Sequence, residues 1–344
     1  MKKTLVAVAA MAAVTGAMAN ATIYGTIDQA YRSDKTTTGA AAANTKKGID
    51  AVVQGGSYFG FKGSEDLGNG LKASFNMELG YETSDAITGG LNNRQSFVGL
   101  AGGFGSINIG RQYSNVFLAA CGNDIGGCAN MAGVTYLTSV DASGDVRRAN
   151  AINYNLPSFV PGLTIQVGKS YGEVEKVGAN ATNNTRDGSS YTLGYTAGAI
   201  AATIASETRD NEGNFPNYVN AQAASTTSKR KTTVTGLSYD AGMAKLAFTN
   251  TKSAIGAGVT KYSMFGVTVP LGEASIGYQA GTGDTKSIAS ATTSKIKGSQ
   301  LAFNYSLSKR TTAYVRQGAQ SETTAAGANA VKVNTTALGV MHSF

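Results

Sequence analysis

From Thr22 onward, apolar and polar side chains alternate in runs of about ten residues, each closed by Gly, Asn, Asp or Ser. A period of two is strand chemistry, because successive side chains of an extended chain point to opposite sides. Residues 22–28 place Ile23, Gly25 and Ile27 on one face, opposite Thr22, Tyr24, Thr26 and Asp28. Residues 71–79 set Leu71, Ala73, Phe75, Met77 and Leu79 against Lys72, Ser74, Asn76 and Glu78. Two shorter runs repeat the pattern, with Phe59 and Phe61 opposite Tyr58, Gly60 and Lys62, and with Ile107 and Ile109 opposite Ser106, Asn108 and Gly110.

The spacing between runs selects the architecture. Tight connections at residues 65–70, 102–105, 196–199 and 240–243 alternate with long ones at 34–56, 83–92, 113–147, 173–188, 209–231, 253–258, 282–297 and 321–332. In a soluble sandwich the apolar faces would meet in a core. Short turns at one end and long loops at the other instead predict an all-β fold, a closed transmembrane antiparallel β-barrel of about sixteen strands. Its apolar faces then meet lipid and its polar faces line water. Tyr24, Tyr31, Tyr81, Tyr154, Tyr195, Tyr239, Tyr278, Tyr305 and Tyr314 fall in or near strand ends, where interfacial girdles would place them. The loops recur between strands and never introduce a new pattern, so no internal domain boundary is drawn.

Met1, Lys2 and Lys3, an apolar run at residues 5–14 and Ala17-Met18-Ala19 have the form of a secretory signal peptide, residues 1–19, ahead of a single barrel domain, residues 20–344. After Asn20 no run approaches the roughly 18 to 20 apolar residues of a spanning helix. Removing Lys2 and Lys3 from the 29 basic residues leaves 27 against 21 acidic ones, so the net charge falls from +8 to +6. These cations are scattered among Thr, Ser and Gly and not clustered on one face, which argues against a nucleic-acid partner. Export permits a disulfide between Cys121 and Cys128, with free thiols or a metal pair as competing readings. The single histidine, His342, is too remote for a four-ligand zinc site. No metal or other cofactor is expected. Nor can a catalytic triad be assembled, and residues 281–287 lack the Gly before Lys286 that a phosphate loop requires.

The chain ends Leu338-Gly339-Val340-Met341-His342-Ser343-Phe344. This resembles the C-terminal strand of bacterial outer-membrane proteins, whose last aromatic is an assembly signal; Phe344 takes that place. Residues 59–73, 94–100, 104–112, 153–159 and 307–311, in that order, resemble the Gram-negative porin family, specifically its trimeric sixteen-stranded members common in β-proteobacteria. The resemblance implies a third external loop, residues 113–147, folded into the lumen, with Asp124, Asp141 and Asp145 on the acidic side of a constriction. Arg111 matches a family constriction arginine, and Arg94, Arg147, Arg148 and Lys62 join it as basic candidates; Tyr58 and Glu78 are pore-lining. Strict alternation would put Arg94 on the face of Val98 and Leu100, and it leaves open which of Arg147 and Arg148 meets water. Tyr58 stands where related chains commonly carry Arg, which shortens the basic row. Implied partners are membrane lipid and lipopolysaccharide, the outer-membrane assembly machinery, two further copies in a homotrimer, and small hydrophilic solutes and ions. The expected function is passive diffusion through a water-filled channel of the Gram-negative outer membrane, with a weak anion preference. A substrate-specific channel and a structural or adhesive barrel are the rival readings; the absence of Trp and the few aromatics of the third loop speak against a sugar channel.

Overall fold

The computed structural model describes residues 21–50, 53, 55–81, 91–124, 146–172, 187–210, 229–255, 258–286, 292–324 and 329–344. The expected signal peptide lies outside them. In chain order the strands are β1 (Thr22–Thr38), β2 (Asn44–Asp50), β3 (Tyr58–Gly68), β4 (Leu71–Gly80), β5 (Asn92–Gly102) and β6 (Gly105–Tyr113), followed by a helix, α1 (Asn115–Cys121). Then come β7 (Arg147–Asn155), β8 (Leu163–Ser170), β9 (Gly188–Ala197), β10 (Ile200–Arg209), β11 (Arg230–Asp240) and β12 (Lys245–Ile255). The circuit ends with β13 (Gly258–Leu271), β14 (Ala274–Lys286), β15 (Thr292–Ser306), β16 (Thr311–Thr324) and β17 (Asn329–Ser343).

Apart from β2 and β3, each strand pairs antiparallel with its neighbour in sequence, and β17 returns to β1, with Thr26 opposite Ser343 and Tyr31 opposite Leu338. β1 meets β2 along its outer half and β3 along its first five residues. The two segments therefore share one strand position, and the ring is a closed barrel of sixteen. Where they part, Ser57 Oγ accepts from Asp28 N (3.0 Å) and donates to Asp28 O (3.1 Å), so the backbone at the break keeps its partners. Closure leaves no open edge, the condition for β-structure in lipid.

The barrel is dressed inside out. Ile23, Val98 and Leu338 are 64%, 60% and 61% exposed, while Asp28 and Thr335 are fully buried at 0%. In a water-soluble domain this distribution would be reversed. Outward apolar side chains recur at every second position in stretches of the wall, as at Tyr191, Leu193 and Tyr195 of β9 and Leu301, Phe303 and Tyr305 of β15, as a lipid-facing band requires. No helix of the described residues is long and apolar enough to cross a membrane; the strands cross.

Two expectations are corrected. Residues 34–56, 253–258, 282–297 and 321–332 do not form loops throughout: β1 runs to Thr38, β2 begins at Asn44, β12 and β13 reach Ile255 and Gly258, and β14 to β17 extend similarly. These strand tips are wet on both faces, so they alternate Thr, Lys, Ser and Asp without an apolar signal. Tyr24 and Tyr314 are not girdle residues; their hydroxyls meet Asn76 and Asp28 on the inner face.

At the C-terminus, Phe344 exchanges backbone hydrogen bonds with Gly25, 3.1 and 3.2 Å long. A Cβ at position 25 would stand 2.5 Å from the Phe344 ring, so only glycine lets the terminal aromatic lie on β1. The third external connection leaves β6 through Ser114, whose hydroxyl accepts from Phe117 N (3.2 Å) and caps α1. The buried helix residues Val116, Ala119 and Ala120 pack on Ala205 of β10 and Val234 of β11, two small apolar residues of an otherwise polar inner wall. The loop thus turns into the barrel and crosses from β6 to the β10–β11 wall.

Candidate functional site

The inner wall from β1 to β7 carries a continuous row of cations and aromatic rings. Lys62 Nζ lies 4.6 Å above the Tyr24 ring, and Tyr24 meets Tyr58 edge-on at 6.2 Å. The Arg94 guanidinium stands 4.5 Å above Tyr58 and donates to Tyr113 Oη at 2.8 Å. Arg147 lies 4.7 Å above Tyr113 and donates to the same oxygen at 3.1 Å. Tyr113 stacks in turn on Phe117 of α1, with centroids 5.2 Å apart and planes 13° from parallel. Tyr58 therefore gives up a charge and supplies the face on which the next cation rests.

A β-bulge explains Arg94. Glu78 pairs with Gln95 and Leu79 with Asn93, leaving Arg94 as the extra residue of β5. The bulge resets the alternation, so the Arg94 side chain meets Glu78, Tyr58 and Tyr113 instead of sharing the outward face of Val98 and Leu100. Glu78 Oε2 is 3.5 Å from Arg94 Nε, and Glu78 Oε1 is 2.8 Å from the Tyr24 hydroxyl, whose single proton it shares with Asn76 Oδ1 at 2.6 Å.

A second bulge acts on Arg111. The β6–β7 register shifts between Gly110 and Gln112, and Gly110 has φ 134°. A Cβ there would lie 2.2 Å from Ser96 O, so glycine is required. Gln112 Nε2 reaches the carbonyl of Asn108 at 3.2 Å and of Ala151 at 3.4 Å, mending the interrupted ladder. Arg111 Nε donates to Asn93 O at 2.9 Å, and its charge lies within electrostatic reach of Arg147 and Arg148.

The two arginines that alternation left open differ in their partners. Arg148 is buried and pairs with Glu207 of β10, its Nε 2.8 Å from Oε1 and its Nη2 on the same oxygen. Arg147 makes no ion pair among the described residues and rests on Tyr113. Lys62, Arg94 and Arg147 are thus brought together on one wall, with Glu78 set into it, and Arg111 lies within electrostatic reach of Arg147.

Facing it, Asp124 follows α1 and lies within electrostatic reach of Tyr262 and Arg316. A cleft of about 340 Å³ opens beside it, bounded by Asn123, Asp124, Asp240, Lys245 and Thr268. Asp141, Asp145 and Cys128 lie outside the described residues; Cys121 is disulfide-bonded.

Several inner-wall groups are not among the sequence candidates. Arg32 binds Asp50 at 2.7 Å and Asp34 at 3.0 Å. Buried Arg316 donates to Asn304 Oδ1 at 2.7 Å, and Tyr314 donates to Asp28. Arg209 and Arg230 are directly opposite each other across β10 and β11. Their signal is parity: each is a charged residue on the non-apolar face of a strand. Opposed fixed charges across a narrow wet passage set up a transverse field that acts on whatever passes.

The model of the Gram-negative porin family matches residues 5–326. The major outer membrane protein P.IB of Neisseria meningitidis serogroup B is 32% identical over 266 residues, covering 68% of this chain and 80% of that protein. Among solved structures, an anion-selective porin from Comamonas acidovorans superposes with a TM-score of 0.77 at 22% identity, covering 95% of this chain and 100% of that one. OmpT of Vibrio cholerae, in a trimer form, superposes with a TM-score of 0.67 at 13% identity, covering 94% and 99%.

Proposed function

The chain belongs to the Gram-negative porin family, and from that premise we propose that the row of Lys62, Arg94, Arg111 and Arg147 is the basic side of its constriction and gives it a weak preference for anions. The protein is an outer-membrane β-barrel channel for passive diffusion. The observation that carries the selectivity is that row itself: three cations linked through tyrosine rings along one inner wall, Arg111 within electrostatic reach of the third, and Glu78 set among them. Inside a low-dielectric tube such a row raises the local concentration of small anions and lowers that of cations. Asp124 on the loop, with Asp141 and Asp145 beyond the described residues, supplies the opposing charge, so the preference is weak. The anion selectivity of the Comamonas porin supports the same sign. Assembly as a trimer is supported by the OmpT likeness, and the exposed apolar band suits contact with lipid and lipopolysaccharide. Phe344, docked on Gly25, is the residue the assembly machinery would read.

Reversal potentials of single channels in a potassium chloride gradient test the reading. It predicts a potential on the chloride side that moves toward zero in Arg94→Gln and in Arg111→Gln; a potential on the potassium side of zero contradicts it.

A further inference from the structure

Tyr113 is the last residue of β6, at the point where the chain leaves the wall and enters the lumen. Its hydroxyl oxygen takes hydrogen bonds from Arg94 and from Arg147, one for each lone pair. One face of its ring lies under the Arg147 guanidinium, and the ring is stacked on Phe117 of α1. The next residue, Ser114, ties the same point down by donating its N–H to Val146 O (2.9 Å), where the returning chain rejoins the barrel.

These contacts solve a problem that the row of cations creates. Arg94 and Arg147 carry like charge, and among the described residues a carboxylate is in reach of Arg94 and none is in reach of Arg147. Two guanidiniums converging on one neutral acceptor are held at a fixed separation without being neutralised, which a carboxylate in the same place would not achieve. The ring face adds attraction for Arg147 while leaving its charge available to solutes.

We propose that Tyr113 is the positioning residue of the constriction: it fixes how far Arg94 and Arg147 project into the passage, and through Phe117 it couples their placement to that of the loop helix. Ion selectivity and loop position are then read by one side chain. This rests on the reading of that wall as the constriction, and the test separates the two.

Single-channel recordings in planar bilayers compare parent, Arg94→Gln, Tyr113→Phe and Phe117→Leu, each checked for the heat-modifiable gel shift of a folded barrel. Tyr113→Phe keeps the ring and removes the shared acceptor; the anion-to-cation permeability ratio falls roughly twofold and open-channel noise rises as the two arginines separate. Phe117→Leu keeps an apolar contact and removes the stack; it lowers the voltage at which the channel closes and leaves the permeability ratio near that of the parent. Should Tyr113→Phe not fold, the closing voltage of Phe117→Leu decides the coupling. A Tyr113→Phe channel with the parent's ratio and noise, or a Phe117→Leu channel with the parent's closing voltage, overturns the proposal. If Arg94→Gln also leaves the ratio unchanged, the constriction reading fails with it; if Arg94→Gln shifts it, only the role of Tyr113 is lost.

Discussion

At the scale of single residues, the inner wall is a matter of which charges are matched. Glu78 touches both Arg94 and Tyr24, so it offsets part of the basic row. Glu78→Gln keeps the shape and removes the charge, and a larger anion-to-cation permeability ratio is expected in reversal-potential measurements. Arg148 and Glu207 form a buried pair, and its removal acts on stability instead. Glu207→Gln leaves a buried guanidinium without its carboxylate, a cost on the order of 3 kcal/mol. That loss would appear as a lower temperature for the gel shift of the folded barrel. The pair was not legible in sequence: its partners lie 59 positions apart, and nothing local links Arg148 to Glu207 rather than to another inward acid.

Elements are where the alternating pattern succeeded and where it misled. The membrane-crossing halves of β1, β4 and β6 follow the pattern residue by residue, because burial in lipid penalises every polar side chain on one face. Arg94 broke the rule because one inserted residue reverses parity from that point on, and an insertion of this kind has no composition of its own. Arg111 did leave a trace, the Gly110 before it, whose φ and close approach to Ser96 O admit no side chain. Gly110→Ala is predicted to cost about 1 to 3 kcal/mol and to re-aim Arg111. The matching readouts are a lower gel-shift temperature and a smaller permeability ratio in the fraction that folds. The strand tips beyond the bilayer carry no strand signal in the sequence because, with water on both sides, nothing selects an apolar face. The helix of the third loop was invisible for a related reason, since seven residues are too few to show a helical period.

For the whole molecule the governing fact is the inverted distribution of polarity around a closed ring, legible in the sequence because it repeats from strand to strand around most of the ring. It also sets the cost of errors. A lysine placed at Val98, in the middle of the lipid-facing band, should destabilise the barrel by about 2 to 4 kcal/mol, whereas lysine at the inward Gln95 should leave its unfolding midpoint in denaturant close to the parent value. The most direct check of this inversion is cysteine accessibility along β4 in proteoliposomes, with single cysteines at residues 74, 75, 76 and 77 and a charged, membrane-impermeant thiol reagent. Cysteines replacing Ser74 and Asn76 should react and reduce the conductance, and those replacing Phe75 and Met77 should stay unlabelled. Labelling at 75 and 77, or equal labelling at all four, would contradict a water-filled interior bounded by a lipid-facing wall.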